Sequence, residues 1–565
     1  MIQPRVLLWV GLLLLVYLNV NAWMKDYAPA ARETPVTESK PADPAAKPSD
    51  SFSAELPSVT SETRPETAPV TPPPATDAGS SVQSGKVRIV TDVFDMDASL
   101  AGVELYRADI IQYPMHKDDP ATPVRLFNKD SPETQFVFQS GLTSGDSGRN
   151  EPNHNASFSA SAAEFRLAPG SDTLEVPFTW SDDAGLAVTK TLVFRRGAYK
   201  IDVRYRVTNG GATPLPLASY TQILRHSQGN ERSMWDPETY SYRGPAFYDG
   251  KSYHKLDIED DDDLSLSKTI TNGWIAAMQH HFVAAALPTA GLAYRYDLTA
   301  KDMDYRLRVV GPAKIVPPGG VLDISESLFV GPKLQDQLKA AGPRLELTTD
   351  YGWLTFLAKP LFEWVLAPIH KFVGNWGLAI IIVTFLIKLV FYKLAETSGR
   401  SMAKMKTVAP RLKAVQERHK DDREAQARAM MELYKREKIN PVAGCLPVLV
   451  QIPFFLAFYW VLLESVEMRQ APFVGWIQDL SSRDPYFILP LLMGGAMYLQ
   501  FKLNPTPPDP IQAKVFAFMP VVMTFMFMWF PAGLVLYWLT NTGLSIAQQW
   551  KINRVVEAEA RKQRG

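Results

Sequence analysis

The sequence predicts two folding units, a large all-β domain followed by an α-helical polytopic membrane core. Strand-like patterns recur at short intervals through residues 86–332, which is typical of antiparallel sheets. From about residue 348 onward, long apolar runs alternate with short charged segments, as in a chain that crosses a bilayer repeatedly. One cation, Lys388, stands inside such an apolar run. Whole-chain averages hide this division, because 565 residues with a net charge of +0 and 46% hydrophobic residues also describe a soluble enzyme.

The first 22 residues combine one early cation, Arg5, with an apolar run of about 15 residues. This pattern fits a cleaved signal peptide and an uncleaved membrane anchor equally well, and both export the region that follows. Residues 25–85 are rich in Pro, Ala, Ser, Thr and Glu, so we expect a disordered linker there. Cys445 is the only cysteine, so no intramolecular disulfide can form and the exported domain depends on its own core.

The β domain is predicted from eight runs of alternating or β-branched residues that are bounded by turn residues. In the run YKIDVRYRVTN, Asn209-Gly210 ends the strand with a turn, and one face carries Ile201, Val203, Tyr205 and Val207. About 250 residues of this pattern predict one large sandwich of antiparallel sheets. The runs are KVRIVTDVFDM, TQFVFQ, LEVPFTW, AVTKTLVFRR, YKIDVRYRVTNGG, WIAAMQHHFVAAALP, YRLRVVGPAKIVPPGG and VLDISESLFVGPK.

No catalytic or metal site is expected in the β domain. His280 and His281 are adjacent in a predicted strand, so their side chains should point to opposite faces and not share a metal. The acidic run at residues 259–263 lacks the spacing of a calcium loop and is predicted to be a solvated loop. Because the sequence also has no nucleophile elbow, phosphate loop or paired zinc motif, we expect no enzymatic activity, no cofactor and no metal.

A hinge at residues 339–343 and an amphipathic segment precede the first core span. The amphipathic segment is predicted to lie in the membrane interface rather than to cross it. Lys359 and Glu363 fall on its polar side. Its apolar side carries Tyr351, Trp353, Leu354, Phe356, Leu357, Leu361, Phe362 and Val365.

Five core spans are predicted, at about residues 376–392, 446–463, 486–501, 515–530 and 534–546. With the N-terminal run they make six crossings. Several of these runs have only about 16 to 18 residues, which is short for an ordinary hydrocarbon core and predicts a thinned bilayer or a bundle that does not fully exclude water.

The basic segment between the first two core spans is predicted to be a cytoplasmic helical hairpin. Residues 393–438 contain 13 Lys and Arg against 7 Asp and Glu, and such an excess marks the cytoplasmic side of a membrane. Asp421 and Glu424 form a capping box for the second helix. The β domain then lies on the opposite side, and both chain termini lie in the cytoplasm.

Lys388 has two explanations that the residues leave open. It lies only one to two turns from Lys393, so its side chain can snorkel to the headgroups, or it faces a water-filled cavity between helices. Thr384 and Gln451 fit either the lining of such a cavity or ordinary hydrogen bonds between helices. Further polar groups at a comparable depth are Thr540, Asn541 and Thr542.

The fifth span is dense in Phe and Met, in the run VFAFMPVVMTFMFMWF. These side chains are either lipid-facing or an adaptable surface for many apolar partners, because thioether chains repack readily. They are Phe516, Phe518, Met519, Met523, Phe525, Met526, Phe527 and Met528.

Five motifs of the helical region resemble the YidC family of inner-membrane protein insertases, in its Gram-negative form with six spans and a large periplasmic domain. The motifs are FVGNWGLAIIIVTF, SMAKMK, KINPVAGCLP, VEMRQAP and WFPAGLVLYW. The resemblance is dense over residues 350–549, whereas the β domain is similar mainly at LFVGPK. It implies a periplasmic β-supersandwich and five core helices around a hydrophilic groove that opens to the cytoplasm and to lipid.

The resemblance also implies the site residues. Lys388 stands where the family usually has Arg, which keeps the charge but not the planar bidentate fork. Trp538 stands where the family commonly has Tyr, which removes a hydroxyl. The predicted groove residues are Lys388, Thr384, Tyr537 and Trp538, which the resemblance places in the groove, together with Gln451, a polar residue at a comparable depth. The predicted hydrophobic client contacts are Phe454, Phe455, Phe516, Met519, Met523 and Met526. The residues singled out on the cytoplasmic hairpin are Lys404, Lys406, Arg411 and Lys413.

The function implied is an insertase and chaperone that inserts and helps fold inner-membrane proteins, alone or with the Sec translocon. Its partners would be nascent inner-membrane proteins, the lipid bilayer, Sec translocon components, the ribosome and the signal-recognition-particle receptor. A secondary transporter that uses Lys388 for coupling is a rival, although no second copy of the Lys388 segment occurs, as internal repeats would require. An envelope receptor that signals through the hairpin is a second rival.

These patterns, together with the resemblance, which implies that the N-terminal anchor is not cleaved, predict the following segments. They are an N-terminal anchor (1–24), a linker (25–85), the periplasmic β domain (86–340), the hinge and interfacial helix (341–368), the second transmembrane span (369–395), the cytoplasmic hairpin (396–440), spans three to six (441–550) and a basic cytoplasmic tail (551–565).

Overall fold

A computed structural model describes residues 85–562 except 145–149, 228, 230–238, 240, 265, 420–421, 438–445 and 504–509. All described residues belong to one compact unit. The predicted N-terminal anchor, nearly all of the predicted linker, and Cys445 lie outside the described residues.

In the described part of the β domain, twenty strands form two sheets. In chain order they are β1 Lys86–Val90, β2 Phe94–Ser99, β3 Leu105–His116, β4 Asp119–Arg125, β5 Phe136–Thr143, β6 Ser159–Ala160, β7 Glu164–Arg166, β8 Thr173–Ser181, β9 Leu186–Arg195, β10 Lys200–Asn209, β11 Leu215–His226, β12 Gly244–Tyr248, β13 Tyr253–Lys255, β14 Ser267–Thr271, β15 Trp274–Met278, β16 Phe282–Leu287, β17 Ala293–Lys301, β18 Asp304–Val310, β19 Lys314–Val316 and β20 Val321–Pro332. All eight runs predicted from the sequence contain strands, so the all-β prediction is confirmed.

The two sheets pack face to face around one apolar core. The first has the order β14-β17-β18-β11-β5-β3-β2-β1-β7, with β19 paired to β11 and β4 to β3, and the second has the order β13-β12-β15-β16-β20-β10-β9-β8-β6. Strand pairing is antiparallel except between β1 and β7. The four residues predicted for one face of β10 are all buried in this core, because alternate side chains of a strand share a face.

Helices make up most of the chain after β20. In chain order, with one short helix of the β domain first, they are α1 Asp261–Leu264, α2 Gln335–Ala341, α3 Thr355–Pro360, α4 Ala367–Val373, α5 Trp376–Val390, α6 Tyr392–Arg418, α7 Arg423–Arg436, α8 Leu446–Glu464, α9 Ile488–Leu503, α10 Pro510–Phe527 and α11 Ala532–Lys562. Short 3-10 turns cover Leu345–Thr348, Gly352–Leu354 and Val466–Met468, and a π-helical turn covers Leu361–Leu366.

Local signals explain where several helices begin and end. The Asn375 side chain accepts from the backbone amide of Leu378 at 3.0 Å and caps the start of α5, as a short polar side chain does at an N-cap. The α7 cap is Asp422, which accepts from the amides of Glu424 and Ala425. The predicted partner in this cap, Asp421, lies outside the described residues.

The described helices differ from ordinary membrane spans either in length or in apolar character. None of them is by itself both long enough and apolar enough to cross a bilayer, and only α5 and α6 satisfy those criteria together, as a pair bent by 69°. Shorter apolar segments occur at Val450–Glu464, Ile488–Leu503 and Ala513–Phe527. The helical character of this region is therefore confirmed, whereas the count of six spans stays a prediction.

The amphipathic segment before α5 differs from the prediction of one apolar face. Tyr351 and Leu354 are buried in the helical core, whereas Trp353 and Phe356 are 70% and 71% exposed. The segment passes through a 3-10 turn, α3 and a π-helical turn, and each has a different number of residues per turn. A single period of 3.6 residues therefore does not describe which side chains share a face.

The segment at the predicted hinge contains the end of α2 and is tied to the residues that follow. The Lys339 ammonium lies 2.8 Å from the Glu363 carboxylate, and the Lys359 ammonium lies 3.2 Å from that of Glu346. These ion pairs join the end of the β domain to the segment that leads into α5. Whether the segment bends as a hinge remains a prediction about motion.

Candidate functional site

A cavity of about 310 Å³ lies inside the helical region, between α5, α6, α8, α9 and α11. Its lining is Lys388, Ala395, Ser398, Gly399, Met402, Gln451, Ile452, Phe455, Met497, Gln500, Tyr537, Trp538, Asn541, Thr542, Ser545, Gln548 and Gln549. Four of the five predicted groove residues are in this lining, although they come from three different helices. The fifth, Thr384, is not.

Lys388 lines the cavity from the last turn of α5. Its ammonium donates to Ser545 Oγ of α11 at 2.7 Å, and the Ser545 hydroxyl donates to the carbonyl of Asn541 at 2.8 Å. A partly buried cation is stabilised when its N–H groups have such acceptors. The side chain thus faces α11 across the cavity, which is the arrangement expected for a groove cation.

The opposite wall is a polar stripe along α11. Asn541, Ser545 and Gln548 follow one another at spacings of four and three residues, which places them on one face of a helix. Gln548 Nε2 donates to the carbonyl of Tyr392 at 3.3 Å, at the start of α6. Neither Ser545 nor Gln548 was predicted as a site residue, although this spacing within an apolar segment was a signal that could have identified them.

Aromatic side chains close the cavity on its inner side. The rings of Tyr537 and Phe458 stack with centroids 4.6 Å apart. Trp538 meets Phe455 edge to face at 4.6 Å and Phe527 at 5.1 Å. The two aromatic groove residues therefore form the boundary between the polar cavity and the apolar core of the helical region.

Thr384 is a buried residue of α5 that does not line the cavity. Its side chain is 1% exposed and its hydroxyl donates to the carbonyl of Ile380, one turn earlier, at 2.7 Å. A threonine in a helix commonly satisfies its hydroxyl in this way. Its role in client contact stays a prediction.

The six predicted hydrophobic contacts are distributed over two surfaces. Phe455 lines the cavity, and its neighbour Phe454 packs edge to face against Phe391 at 5.2 Å. On α10, Met523 packs against the helical core. The other three side chains of this helix are more exposed: Phe516 by 53%, Met519 by 38% and Met526 by 39%. The exposed face of α10 is thus largely apolar.

The predicted hairpin residues lie on two packed helices. Val408 and Leu412 of α6 contact Met430 and Tyr434 of α7 in a small apolar cluster. Lys404 and Lys413 are exposed. The Arg411 guanidinium pairs with the Glu437 carboxylate at 2.7 Å. The Lys406 side chain lies outside the described part of the chain.

The end of the bundle opposite the basic helices is closed. Leu534 and Val535 of α11 are completely buried. The amides of Ala532 and Gly533 donate to the carbonyls of Ser482 and Leu480, at 2.7 and 2.9 Å. The connection between α8 and α9 therefore seals this end with apolar packing and backbone hydrogen bonds.

The adjacent histidines His280 and His281 do not point to opposite faces, so that prediction is wrong. His280 and His281 lie in the turn between β15 and β16, and their rings stack at 3.7 Å. A turn does not impose the alternation of a strand. Among the described residues, no group of three or more His, Cys, Asp or Glu side chains is placed to hold a metal ion.

The fold and the cavity define a class of protein, namely a helical bundle with a polar groove at one end and a large β-sandwich domain. Comparison with known proteins identifies the family. Residues 86–364 match the model of the YidC periplasmic domain, and residues 368–560 match that of the 60Kd inner membrane protein.

Relatives match along nearly the whole chain. The membrane protein insertase YidC of Thioalkalivibrio sulfidiphilus is 46% identical over 99% of each chain, and that of Nitrosococcus oceani is 44% identical over 98% of this chain and 99% of its own. A solved structure of an active YidC insertase is 17% identical with a TM-score of 0.37, covering 83% of this chain and 93% of its own. Family membership rests on the sequence relatives: the chain belongs to the YidC family of membrane protein insertases.

Membership confirms the expectations drawn from the resemblance at the level of the family. The chain is an inner-membrane protein with a β-rich periplasmic domain, and the clients of its family are membrane proteins. An insertase is not an enzyme, in agreement with the prediction from the sequence.

Proposed function

We propose that this chain inserts client proteins by receiving a polar client segment in the groove around Lys388 while the apolar client helix moves along α8 and α10 into lipid. The observation that carries the proposal is the polar lining itself, in which Lys388 faces the α11 stripe inside an otherwise apolar bundle. Polar groups are costly to bury without partners, so a lining of this kind supports a role for the groove in binding.

The groove lowers the barrier to translocation. A polar segment that crosses hydrocarbon loses its hydrogen bonds to water, whereas in the groove it meets amide and hydroxyl groups. The ammonium of Lys388 attracts acidic client residues as a point charge. Burial of the apolar client helix in lipid then supplies the driving force, so no nucleotide is required.

The topology belongs to the same proposal. Six spans would place both termini and the α6–α7 pair in the cytoplasm and the β domain in the periplasm. The basic character of α6 and the groove lining at the start of this helix support an opening on the cytoplasmic side. The exposed Lys404 and Lys413 support contacts with the ribosome, the signal-recognition-particle receptor or Sec translocon components at this surface.

The test uses purified protein in liposomes with a single-span client that carries an acidic tail, and it measures protease protection of the translocated tail. Lys388→Arg keeps the charge and should retain insertion. Lys388→Glu reverses the charge and should slow insertion by about tenfold, or ~1.4 kcal/mol of barrier. Lys388→Ala should fall between the two, since it removes attraction without adding repulsion.

Lys393→Glu is the matched control, because Lys393 lies five residues further on with a side chain that is 93% exposed. This control should insert the client at the wild-type rate. If all three Lys388 variants match the wild type, the ammonium does not act in the groove. If the wild type does no better than empty liposomes, the insertion activity itself is contradicted.

A further inference from the structure

The turn between β15 and β16 forms a cap on the C-terminal end of α8. His280 and His281 are 8% and 5% exposed. Their Nε2 atoms lie 2.8 and 3.1 Å from the carbonyl oxygen of Leu463, the second-last residue of α8. Two histidines from the β domain therefore meet one backbone carbonyl at the end of a helix of the groove.

This contact supplies hydrogen-bond donors to the C-terminal end of α8. The last carbonyl groups of an α-helix have no partner within the helix, and a carbonyl oxygen has two lone pairs that can accept two hydrogen bonds. Burial lowers the pKa of both imidazoles, that of His281 to about 3. At neutral pH both rings are therefore uncharged, and the geometry places their protons on Nε2, where they donate to Leu463.

A second contact holds the residues just after α8. The Arg469 guanidinium donates to the carbonyls of Pro114 and Met115 at 2.8 and 3.0 Å, at the tip of the β3–β4 hairpin. Gln470 Nε2 donates to the same Pro114 carbonyl at 2.9 Å. Arg469 also lies over the ring of Phe282, with 5.7 Å to its centroid, next to the histidine pair.

Buried polar contacts complete the junction. The Ser241 hydroxyl donates to the Glu464 carboxylate at 3.1 Å, and Lys333, at the end of β20, is 1% exposed. Burial lowers the pKa of Lys333 to about 8, against the effect of the Glu464 carboxylate. Because buried polar groups tolerate few alternative arrangements, the junction specifies one position of α8 relative to the β domain.

We propose that His280 and His281 are positioning residues that fix α8 in the groove from the periplasmic domain. Phe455 lies eight residues from Leu463, about 12 Å along the helix. Pro453 comes before both residues and does not lie between them. A tilt or rotation of α8 at Leu463 therefore moves Phe455 relative to its partners Tyr537 and Trp538. This inference rests on the proposed groove, whose wall α8 provides.

The experiment measures the position of α8 without a client. Two cysteines replace Phe455 and Trp538 in a Cys445→Ser background, and a short thiol-to-thiol cross-linker is applied to the protein in liposomes. A second pair, Lys388→Cys with Ser545→Cys, reports on α5 and α11 and serves as the internal control. Both pairs are combined with His280→Ala/His281→Ala and with His280→Gln/His281→Gln, since glutamine also has an Nε2 donor.

Loss of both donors should lower cross-linking of the 455–538 pair by about fivefold or more, in line with the loss of two hydrogen bonds. The glutamine variant should restore it, and the 388–545 pair should be unchanged in both. His226→Ala, a matched loss of a histidine elsewhere in the β domain that pairs with Asp304, should change neither pair.

Unchanged cross-linking of both pairs in the alanine variant would overturn the proposal. An equal loss in both pairs would also overturn it, because it would indicate general unfolding rather than displacement of α8. If the double alanine variant is not recovered, the single variant His281→Ala takes its place under the same criteria. Client insertion is measured in a separate assay. If the wild type shows the expected cross-links but does not insert a client, the proposed function is contradicted, whereas the proposed role of His280 and His281 in positioning α8 is not.

Discussion

The two ends of the helical bundle contrast in chemistry although the same helices, α5, α8 and α11, contribute to both. At one end, Lys388 faces Ser545 and the glutamines of α11 around a cavity. At the other, Leu534 and Val535 are completely buried and the α8–α9 connection is hydrogen-bonded to the start of α11. The bundle is thus closed by apolar packing on the side of the β domain and contains a polar cavity on the side of the basic helices.

This difference teaches how a charge is tolerated in an apolar bundle. A buried charge or polar group is acceptable where it has partners or space for water, and very costly where it has neither. A polar or charged side chain should therefore lower the free energy of unfolding strongly at the closed end and only slightly at the end that holds the cavity. The predictions that follow are ordered from the largest expected effect to the smallest.

A charge at the closed end should unfold the helical region. Val535→Asp places a carboxylate where the native side chain is fully buried, so we expect a loss of about 4 kcal/mol or more. Ser545→Asp is the matched variant at the open end, where Lys388 lies 2.7 Å from the native hydroxyl, and it should change stability by less than about 1 kcal/mol. Thermal unfolding of the detergent-purified proteins measures both, and equal losses would contradict the comparison.

A methyl group at the closed end should also be costly. In Gly377→Ala the new Cβ would lie 2.1 Å from Cδ2 and 2.8 Å from Cβ of Phe473, so the ring has to shift and the expected loss is about 1–3 kcal/mol. Gly543→Ala of α11 has nothing within 4 Å of its Cβ, and it should leave stability unchanged or raise it by up to about 1 kcal/mol. The two unfolding temperatures give the answer, and a neutral Gly377→Ala would mean that the contact with Phe473 is not tight.

The smallest effect is expected from pH at the junction. Because burial lowers the pKa of His281 to about 3, the unfolded chain binds more protons below the usual value of 6.5, and stability falls as pH falls from 6.5 toward 3. His280→Gln/His281→Gln lacks both histidines and should therefore lose less stability than the wild type, by about 1–2 kcal/mol, between pH 6.5 and 5.5. Glu467, whose pKa burial raises to about 7, acts in the opposite direction but is present in both proteins.

Unfolding measured at a series of pH values checks this prediction as the difference between the two proteins. Parallel curves would show that the histidines are not held neutral in the folded protein, which would also weaken the argument that they donate to Leu463.

Prediction from the sequence succeeded where the pattern is local. Alternation in YKIDVRYRVTN placed Ile201 and Tyr205 in the core, because a strand turns alternate side chains to one face whatever it packs against. Prediction failed for His280 and His281, since the predicted strand is in fact two strands, Trp274–Met278 and Phe282–Leu287, and both histidines lie in the turn between them. It was incomplete for the segment before α5, where a 3-10 turn and a π-helical turn interrupt the period of an ordinary helix.

The candidate site shows the same limit. Lys388 and Gln451 stood out as polar residues in apolar runs, and Tyr537 and Trp538 came from the family resemblance. Ser545 was missed, although its spacing of four residues from Asn541 and three from Gln548 was a signal; only its contact with Lys388 required the tertiary structure. Thr384 was expected beside Lys388, and a spacing of four residues does place the two on one side of α5. The Thr384 side chain is nevertheless buried and its hydroxyl donates to the carbonyl of Ile380, which the spacing does not specify.

By itself the sequence determined the division into a β domain and a helical core, the strands of the sandwich, the basic character of α6, and the family. These depend on periodicity, composition and motif, which are properties of neighbouring residues. Only the tertiary structure decided that Lys388 faces Ser545, that one end of the bundle is sealed, and that two histidines of the β domain cap α8. Those contacts join residues about 160 to 180 positions apart, and no local pattern specifies which distant partner satisfies a given donor.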